Sequence, residues 1–331
     1  MKFNAFASVA AVSALSVTAV FAEGHSDRTG WPESFTVGTA SQGGTYFAYG
    51  SGWANLVAEE LGLSGGGEVT GGPMQNMALV HTGEAQFGMT TMGPAAESLA
   101  GTNPIAPGLQ MTGACAMFPM YQTPFSVTAL ASSGIESIAD IPAGARIGFG
   151  PAGSTSDTYF PRMMEDLGVE FDRRNGGWSD LGGQLQDGLI DVIAFAAGVP
   201  VPAVSQLEVQ TDVNIIEFTE EEQAKLMADF PVSAFEIAPD TYTTLEAPAR
   251  SVSMWNFAIA NCDLPESFVY EVVDVVMSDN ERMMNIHRAA RSTLPENWDK
   301  NAVLMWHPGA ARWFTENAGA EIAEDMIHSA M

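Results

Sequence analysis

The feature that most constrains this chain is a pattern that occurs twice. Ser34-Phe35-Thr36-Val37 reads as a short strand, and Gly38-Thr39-Ala40-Ser41-Gln42-Gly43-Gly44-Thr45 turns it into an amphipathic helical stretch running to Leu61. The same order returns 110 residues on, Gly38 against Gly148. There Ala145-Arg146-Ile147 leads through Gly148-Phe149-Gly150-Pro151-Ala152-Gly153-Ser154-Thr155 into a helical run to Leu167. Each unit is followed by a second matching segment. Gly83-Glu84-Ala85-Gln86 precedes an apolar strand ending at Gly93, and Gly188-Leu189-Ile190-Asp191 precedes one ending at Gly198. In both, a helix stops at a glycine just ahead of a buried strand. Two similar α/β lobes, each built on a βαβ unit, are the simplest reading.

Both glycine loops approach the phosphate-binding pattern GxxxxGK[ST], but Gly44 and Ser154 stand where the lysine must be. Lacking that point charge, they argue against a nucleoside triphosphate. What remains is backbone physics: a glycine turn opening a helix aims unpaired N–H groups and the positive end of the helix dipole beyond the strand. That suits a carboxylate, a sulfonate or a phosphate monoester. Taken singly, each loop is equally well a tight βα turn. Ligands of open α/β sheets lie outside the carboxyl ends of the strands, so two such loops on two lobes can face each other across a cleft.

Composition agrees with two lobes: 331 residues, 46% hydrophobic and 16% charged, hold enough apolar material for two compact units. Residues 1–22 read as an export leader, with Lys2, an almost uncharged stretch from Ala5 to Phe21 and small residues at Val20-Phe21-Ala22. A periplasmic location is therefore expected. The nearest thing to a later membrane span, Leu189 to Val204, is broken by Gly198, Pro200 and Pro202. Charge is strongly acidic: 13 Lys and Arg against 40 Asp and Glu give −27, or −28 once Lys2 leaves. Such a field repels nucleic acid and anionic lipid, so neither is an expected partner. It does not forbid an anionic ligand, because salt at ~0.15 M screens charges beyond about 8 Å and a few aimed donors decide the site. Cys115 and Cys262 form either one bridge or a pair of buried free thiols. The five histidines show no HExxH and no zinc-like spacing, so no metal and no cofactor is expected.

With these residues in view the chain resembles the TAXI family, the extracytoplasmic solute-binding proteins of tripartite ATP-independent periplasmic (TRAP) transporters. Five anchors carry the resemblance, in order along nearly the whole mature chain. They are GTASQGGTYF; Thr70-Gly71-Gly72-Pro73-Met74-Gln75-Asn76 with Gly83-Glu84; GPAGSTSDTYF; DGLIDVIAFAAGVPVPAV; and His307-Pro308-Gly309-Ala310-Ala311-Arg312-Trp313-Phe314.

The resemblance implies an α/β, type II periplasmic-binding-protein fold, two lobes joined by a hinge with a ligand cleft between them. Lobe 1 would take residues 23–129 and 251–331, and lobe 2 residues 130–250. It implies a monomer that closes on a small organic acid, a dicarboxylate, oxo acid or amino acid, and delivers it to TRAP membrane subunits. Carried over residue by residue, the first-lobe pocket falls on Gly43, Gly44, Thr45 and Tyr46 and on Thr70, Gly72 and Asn76. In the second lobe it falls on Gly153, Ser154, Thr155 and Ser156, with Ala197 and Gly198 at the next strand end. Met92 joins them through a departure: Thr91-Met92-Gly93 stands where many relatives carry a polar Gln-Ser-Asp, and Phe118-Pro119-Met120 where a Tyr-Pro-Glu run is found. Both changes make the pocket less polar and count against a glutamate-like substrate.

Other residues carry plainer expectations. Trp53 falls inside the first helix and should pack on the sheet, whereas Trp178, just ahead of a helical stretch, belongs at the lobe edge, with ligand contact left open. His307-Pro308 suits a helix start rather than catalysis. Arg146, Arg162, Arg173, Arg174 and Arg250 are candidate carboxylate clamps, none assignable. The alternatives are a binding protein of an ABC importer or a membrane sensor. A hydrolase using Ser154 is more remote, since no GxSxG or SxxK motif supports it.

Overall fold

The computed structural model describes residues 27–329, so the expected leader lies outside the described residues. The first half of the chain runs β1 (Ser34–Gly38), α1 (Thr45–Leu61), β2 (Ser64–Glu68), α2 (Pro73–Thr82), β3 (Phe87–Thr91), α3 (Met92–Leu99) and a long strand, β4 (Ala114–Leu130). The second half repeats this order as β5 (Ala145–Gly148), α4 (Thr155–Asp166), β6 (Phe171–Arg174), α5 (Trp178–Gln186), β7 (Val192–Ala196) and α6 (Pro202–Glu208). It then adds β8 (Val213–Ile216), α7 (Glu220–Asp229), β9 (Ser233–Ile237) and the second long strand, β10 (Ala249–Asn261). The helices α8 (Glu266–Met277), α9 (Asn280–Ile286) and α10 (Pro308–Ala318) return to the first half.

Ten strands form one connected sheet in the order β2-β1-β3-β10-β4-β7-β5-β6, with β8 on β4 and β9 on β10. Parallel pairing joins β1 to β2 and β3, and β5 to β6 and β7. Antiparallel pairing then sets β10 against β3 and β4 against β7. The same arrangement thus appears twice, β2-β1-β3-β10-β4 and β6-β5-β7-β4-β8, each interrupted by a strand from elsewhere in the chain. That double crossing is the two-lobed, type II architecture. Every residue of the strands FGMTT (β3) and VIAFA (β7) is buried, as expected of strands covered on both faces.

The two long strands lie side by side, with register shifts between Trp255 and Phe257 and between Ala258 and Ile259. Each feeds two cores: β4 gives Met120 and Tyr121 to one apolar cluster and Phe125 to another, and β10 gives Phe257 to the first and Met254 to the second. Trp53 is fully buried in the first cluster, edge-on to Phe87 and Phe118. Cys115 and Cys262 take the bridged alternative, with Cα atoms 5.2 Å apart and 147 residues between them in sequence. His307 caps α10: its Nδ1 accepts the Gly309 N–H at 3.2 Å and its Nε2 meets the Leu264 carbonyl at 3.1 Å. Burial pushes this imidazole down to about 4, which keeps it neutral in that role.

Candidate ligand site

β1 ends in buried Val37 and Gly38, and the chain must then reverse into α1 within a few residues. Gly43 makes the turn at φ +81°, and a Cβ there would also lie 2.8 Å from the Ser179 backbone nitrogen. Gly44 is the N-cap, in extended conformation and with no side chain to cap the helix. The first amides of α1, those of Thr45 and Tyr46, therefore have no intrahelical acceptor and no side-chain cap. Across from them, α4 starts differently. Its N-cap, Ser154, accepts the Asp157 N–H at 3.1 Å, and the Asp157 carboxylate accepts the Gly153 N–H at 3.0 Å.

The two helix starts face each other over a small cavity of about 30 Å³. That is space for roughly one or two waters. Its walls are of three kinds. Gly44, Ala40, Pro73, Ala196 and Ala197 supply small apolar surface; Thr45, Thr91, Thr123, Ser154 and Thr155 supply hydroxyls; Tyr46 and Trp178 supply rings. Trp178 opens α5, stacks on Phe195 with ring centres 4.4 Å apart, and presses against Gly44, where a Cβ would come within 2.7 Å of its Cδ1. Only glycine at position 44 lets this indole close on the loop.

A buried polar cluster lies under the cavity, centred on Asn256 of β10. Its Oδ1 accepts from the Tyr46 hydroxyl at 2.6 Å and the Thr91 hydroxyl at 3.0 Å. Its Nδ2 donates to the Tyr121 carbonyl and to Thr123 Oγ1, both at 2.7 Å. Thr91 and Thr155 share a hydrogen bond of 2.8 Å across the two halves. The Tyr46 phenol is fully engaged here, and burial pushes it well above the usual tyrosine range. Such a cluster, satisfied on all sides, holds the floor of the site in one geometry.

Further bonds cross between the halves around the rim. Thr45 Oγ1 donates to the Gly198 carbonyl, Ala203 N–H to the Gly43 carbonyl at 3.0 Å, and Met74 N–H to the Gly153 carbonyl at 3.4 Å. Arg288 pairs with Asp240 at 2.7 Å, linking the segment after α9 to the segment after β9. The described form is closed.

Residues 37–318 match the model of the NMT1-like family. The chain belongs to that family. In structure this NMT1-like protein resembles MatC from Rhodopseudomonas palustris, solved with bound malate, at a TM-score of 0.57 and 14% identity over 86% of this chain and 97% of that one. It resembles the periplasmic binding protein BugD at a TM-score of 0.56 and 14% identity over 87% and 99%. A second R. palustris protein, solved with adipate, gives 0.54 and 15% over 87% and 98%. At these identities the likeness establishes the two-lobed periplasmic-binding-protein fold.

Of the residues singled out in sequence, Gly44, Thr45, Tyr46, Ser154, Thr155 and Ala197 of the NMT1-like chain line the cavity. Others stand behind the wall. Thr70 and Asn76 are both buried, and their polar atoms bond within the chain. Asn76 Nδ2 donates to the Thr39 and Met89 carbonyls at 2.8 and 2.9 Å, and its Oδ1 accepts the Thr70 hydroxyl at 2.7 Å. They brace the ends of β1 and β3. Ser156 is likewise turned away, its Oγ accepting the Ala196 N–H at 2.5 Å. Gly43, Gly153 and Gly198 contribute carbonyls to the rim contacts; Gly72 packs on Ser154, and Met92 rests on the first core.

Trp178, Thr123, Ala40, Pro73 and Ala196 line the space without having been assigned to it. Asn256 carried a readable signal, a lone amide inside the apolar run Met254-Trp255-Asn256-Phe257-Ala258, because a buried amide demands partners. The candidate arginine clamps are all engaged away from the cavity, Arg146 with Asp191, Arg162 with Glu97, Arg173 with Asp157, Arg174 with Asp172 and Arg250 with Glu217.

Proposed function

We propose that this protein is a periplasmic solute-binding protein that captures a small organic acid by closing its two lobes, and delivers it to a membrane transporter of the TRAP type. The observation that carries the reading is the cavity between two opposed helix starts, one from each copy of the duplicated unit. Contacts available only when both starts meet the ligand would stabilise the closed form over the open one. The hinge of this mechanism lies in β4 and β10, where Tyr121 and Phe125, and Met254 and Phe257, divide between cores. The lobes would therefore exchange near Gln122 and Trp255, several residues inside the boundaries at 129 and 251 expected from sequence. Ligand contacts are assigned to the first-turn amides of α1 and α4, with Thr45, Thr155 and Thr123 hydroxyls beside them.

Ser154 acts in this reading as a helix cap and not as a nucleophile. Its hydroxyl is bonded to Asp157 N–H and the Phe149 carbonyl, neither of which is a base that could activate it. Delivery to TRAP membrane subunits rests on the five TAXI-like anchors. It is checked by reconstituting uptake with membrane subunits of that class. The binding step is tested by a thermal-shift screen of the mature protein against carboxylates, sulfonates and amino acids, followed by calorimetry. A ligand at 100 times its Kd stabilises by about 2.7 kcal/mol. A saturable shift with an organic acid is the expected result, and no shift with any class would sink the proposal.

A further inference from the structure

The walls of the cavity include no Asp, Glu, Lys, Arg or His side chain. From this, and from the hydrogen-bond ledger around it, we infer that the site selects carboxylates that carry no ammonium group: simple aliphatic, hydroxy or oxo acids, with α-amino acids excluded. The inference rests on the proposed function and narrows its substrate class.

Several acceptors near the cavity are already engaged within the chain. Asn256 Oδ1 receives the hydroxyls of Tyr46, Thr91 and Thr123, and Thr123 Oγ1 lies within reach of the Asn256 amide. The carbonyls of Gly43, Gly153 and Gly198 receive Ala203 N–H, Met74 N–H and the Thr45 hydroxyl. Donors, in contrast, are in surplus. The opening amides of α1 face the space with no cap at Gly44. Trp178 is 4% exposed, and its indole nitrogen lies 3.2 Å from where a Cβ on Gly44 would stand, so its N–H sits at the wall beside those amides. An ammonium brings three donors and needs acceptors or a counter-charge. Enclosed in walls of hydroxyls, methyl groups and N–H donors with no carboxylate among them, it would be stripped of water with no counter-charge to offset the cost. A carboxylate brings only acceptors and meets the surplus.

The test is calorimetric titration of the mature protein with pairs that differ only by the amine: glutarate and glutamate, butyrate and 2-aminobutyrate, propionate and alanine. For any pair that binds, the amine-free member should bind more tightly by about a hundredfold, the cost expected for an unsatisfied buried charged donor. Trp178→Phe keeps the ring and removes the N–H. It should weaken the amine-free ligand by about tenfold, the usual worth of a hydrogen bond to a charged group, while the unliganded protein keeps its melting temperature. Equal or tighter binding of the amino acid overturns the inference and leaves the proposed function standing. Unchanged carboxylate affinity in Trp178→Phe overturns the donor surplus as its cause. If no member of any pair binds, the proposed function fails and takes the inference with it.

Discussion

The two glycine loops share a backbone plan and differ in charge. The start of α1 has no side-chain cap and no acid in its first turn, whereas α4 is capped by Ser154 and carries Asp157 three residues on. An acid in the first turn stabilises the helix by offsetting the positive end of its dipole, and here it also occupies a loop amide. The first helix start thus keeps its opening amides uncapped, the end proposed to meet the anion, and the second uses much of its own on internal order. Arg173 and Asn175 hold Asp157 in place from outside. The two copies share a geometry, and a handful of side chains leave one helix start uncapped and the other capped.

The halves also differ in how they are held together, and this carries the largest predicted effect. The disulfide joins β4, at a point flanked by Ala114 and Ala116 of the first core, to the segment after β10; the second core has none. Replacing Cys115 and Cys262 by alanine should cost about 4 kcal/mol of unfolding free energy, the loop-entropy scale for a long closure, read by urea denaturation. The loss should appear in the first core, with ligand affinity little changed in the protein that remains folded. Equal loss of hydrogen-exchange protection in both halves would mean the cores unfold as one unit.

Gly44→Asp tests the open helix start directly. It adds a carboxylate where the anion is proposed to sit and a Cβ within 2.7 Å of Trp178 Cδ1. Calorimetry should show carboxylate affinity falling by at least about a hundredfold, since both a charge clash and lost donors contribute. Retained affinity would remove α1 from the site. The smallest effect is expected from Asp157→Asn, which makes α4 more like α1. Removing a charge from a helix first turn is worth ~0.3–1 kcal/mol, so anion affinity should rise about twofold to fivefold. A fall instead would show that Asp157 serves the ligand by ordering its loop.

Much of this was legible in the chain before any coordinates. The repeated strand, glycine loop and helix at Gly38 and Gly148 require two βαβ units, because glycines that turn a strand into a helix and apolar runs ending at Gly93 and Gly198 have few other uses. β1, α1, β5 and α4 fall where that pattern puts them. Less could be said of side chains. Asn76 and Thr70 stand in a segment that reads as a pocket loop, yet their groups are used to close the ends of two strands. Trp178 lines the small space, and Asn256, far from it in sequence, braces the floor through Tyr46.

The local periodicity and the turn residues settle which elements form, since each depends on neighbours a few positions away. Which side chains meet depends on β4 and β10 crossing between the halves and on how far those halves close, and both are set by packing among residues more than a hundred positions apart. A donor also points at a ligand only if no closer acceptor has claimed it. The choice between a cysteine bridge and two free thiols, and the place of Trp178 in the cavity wall, waited on that long-range geometry.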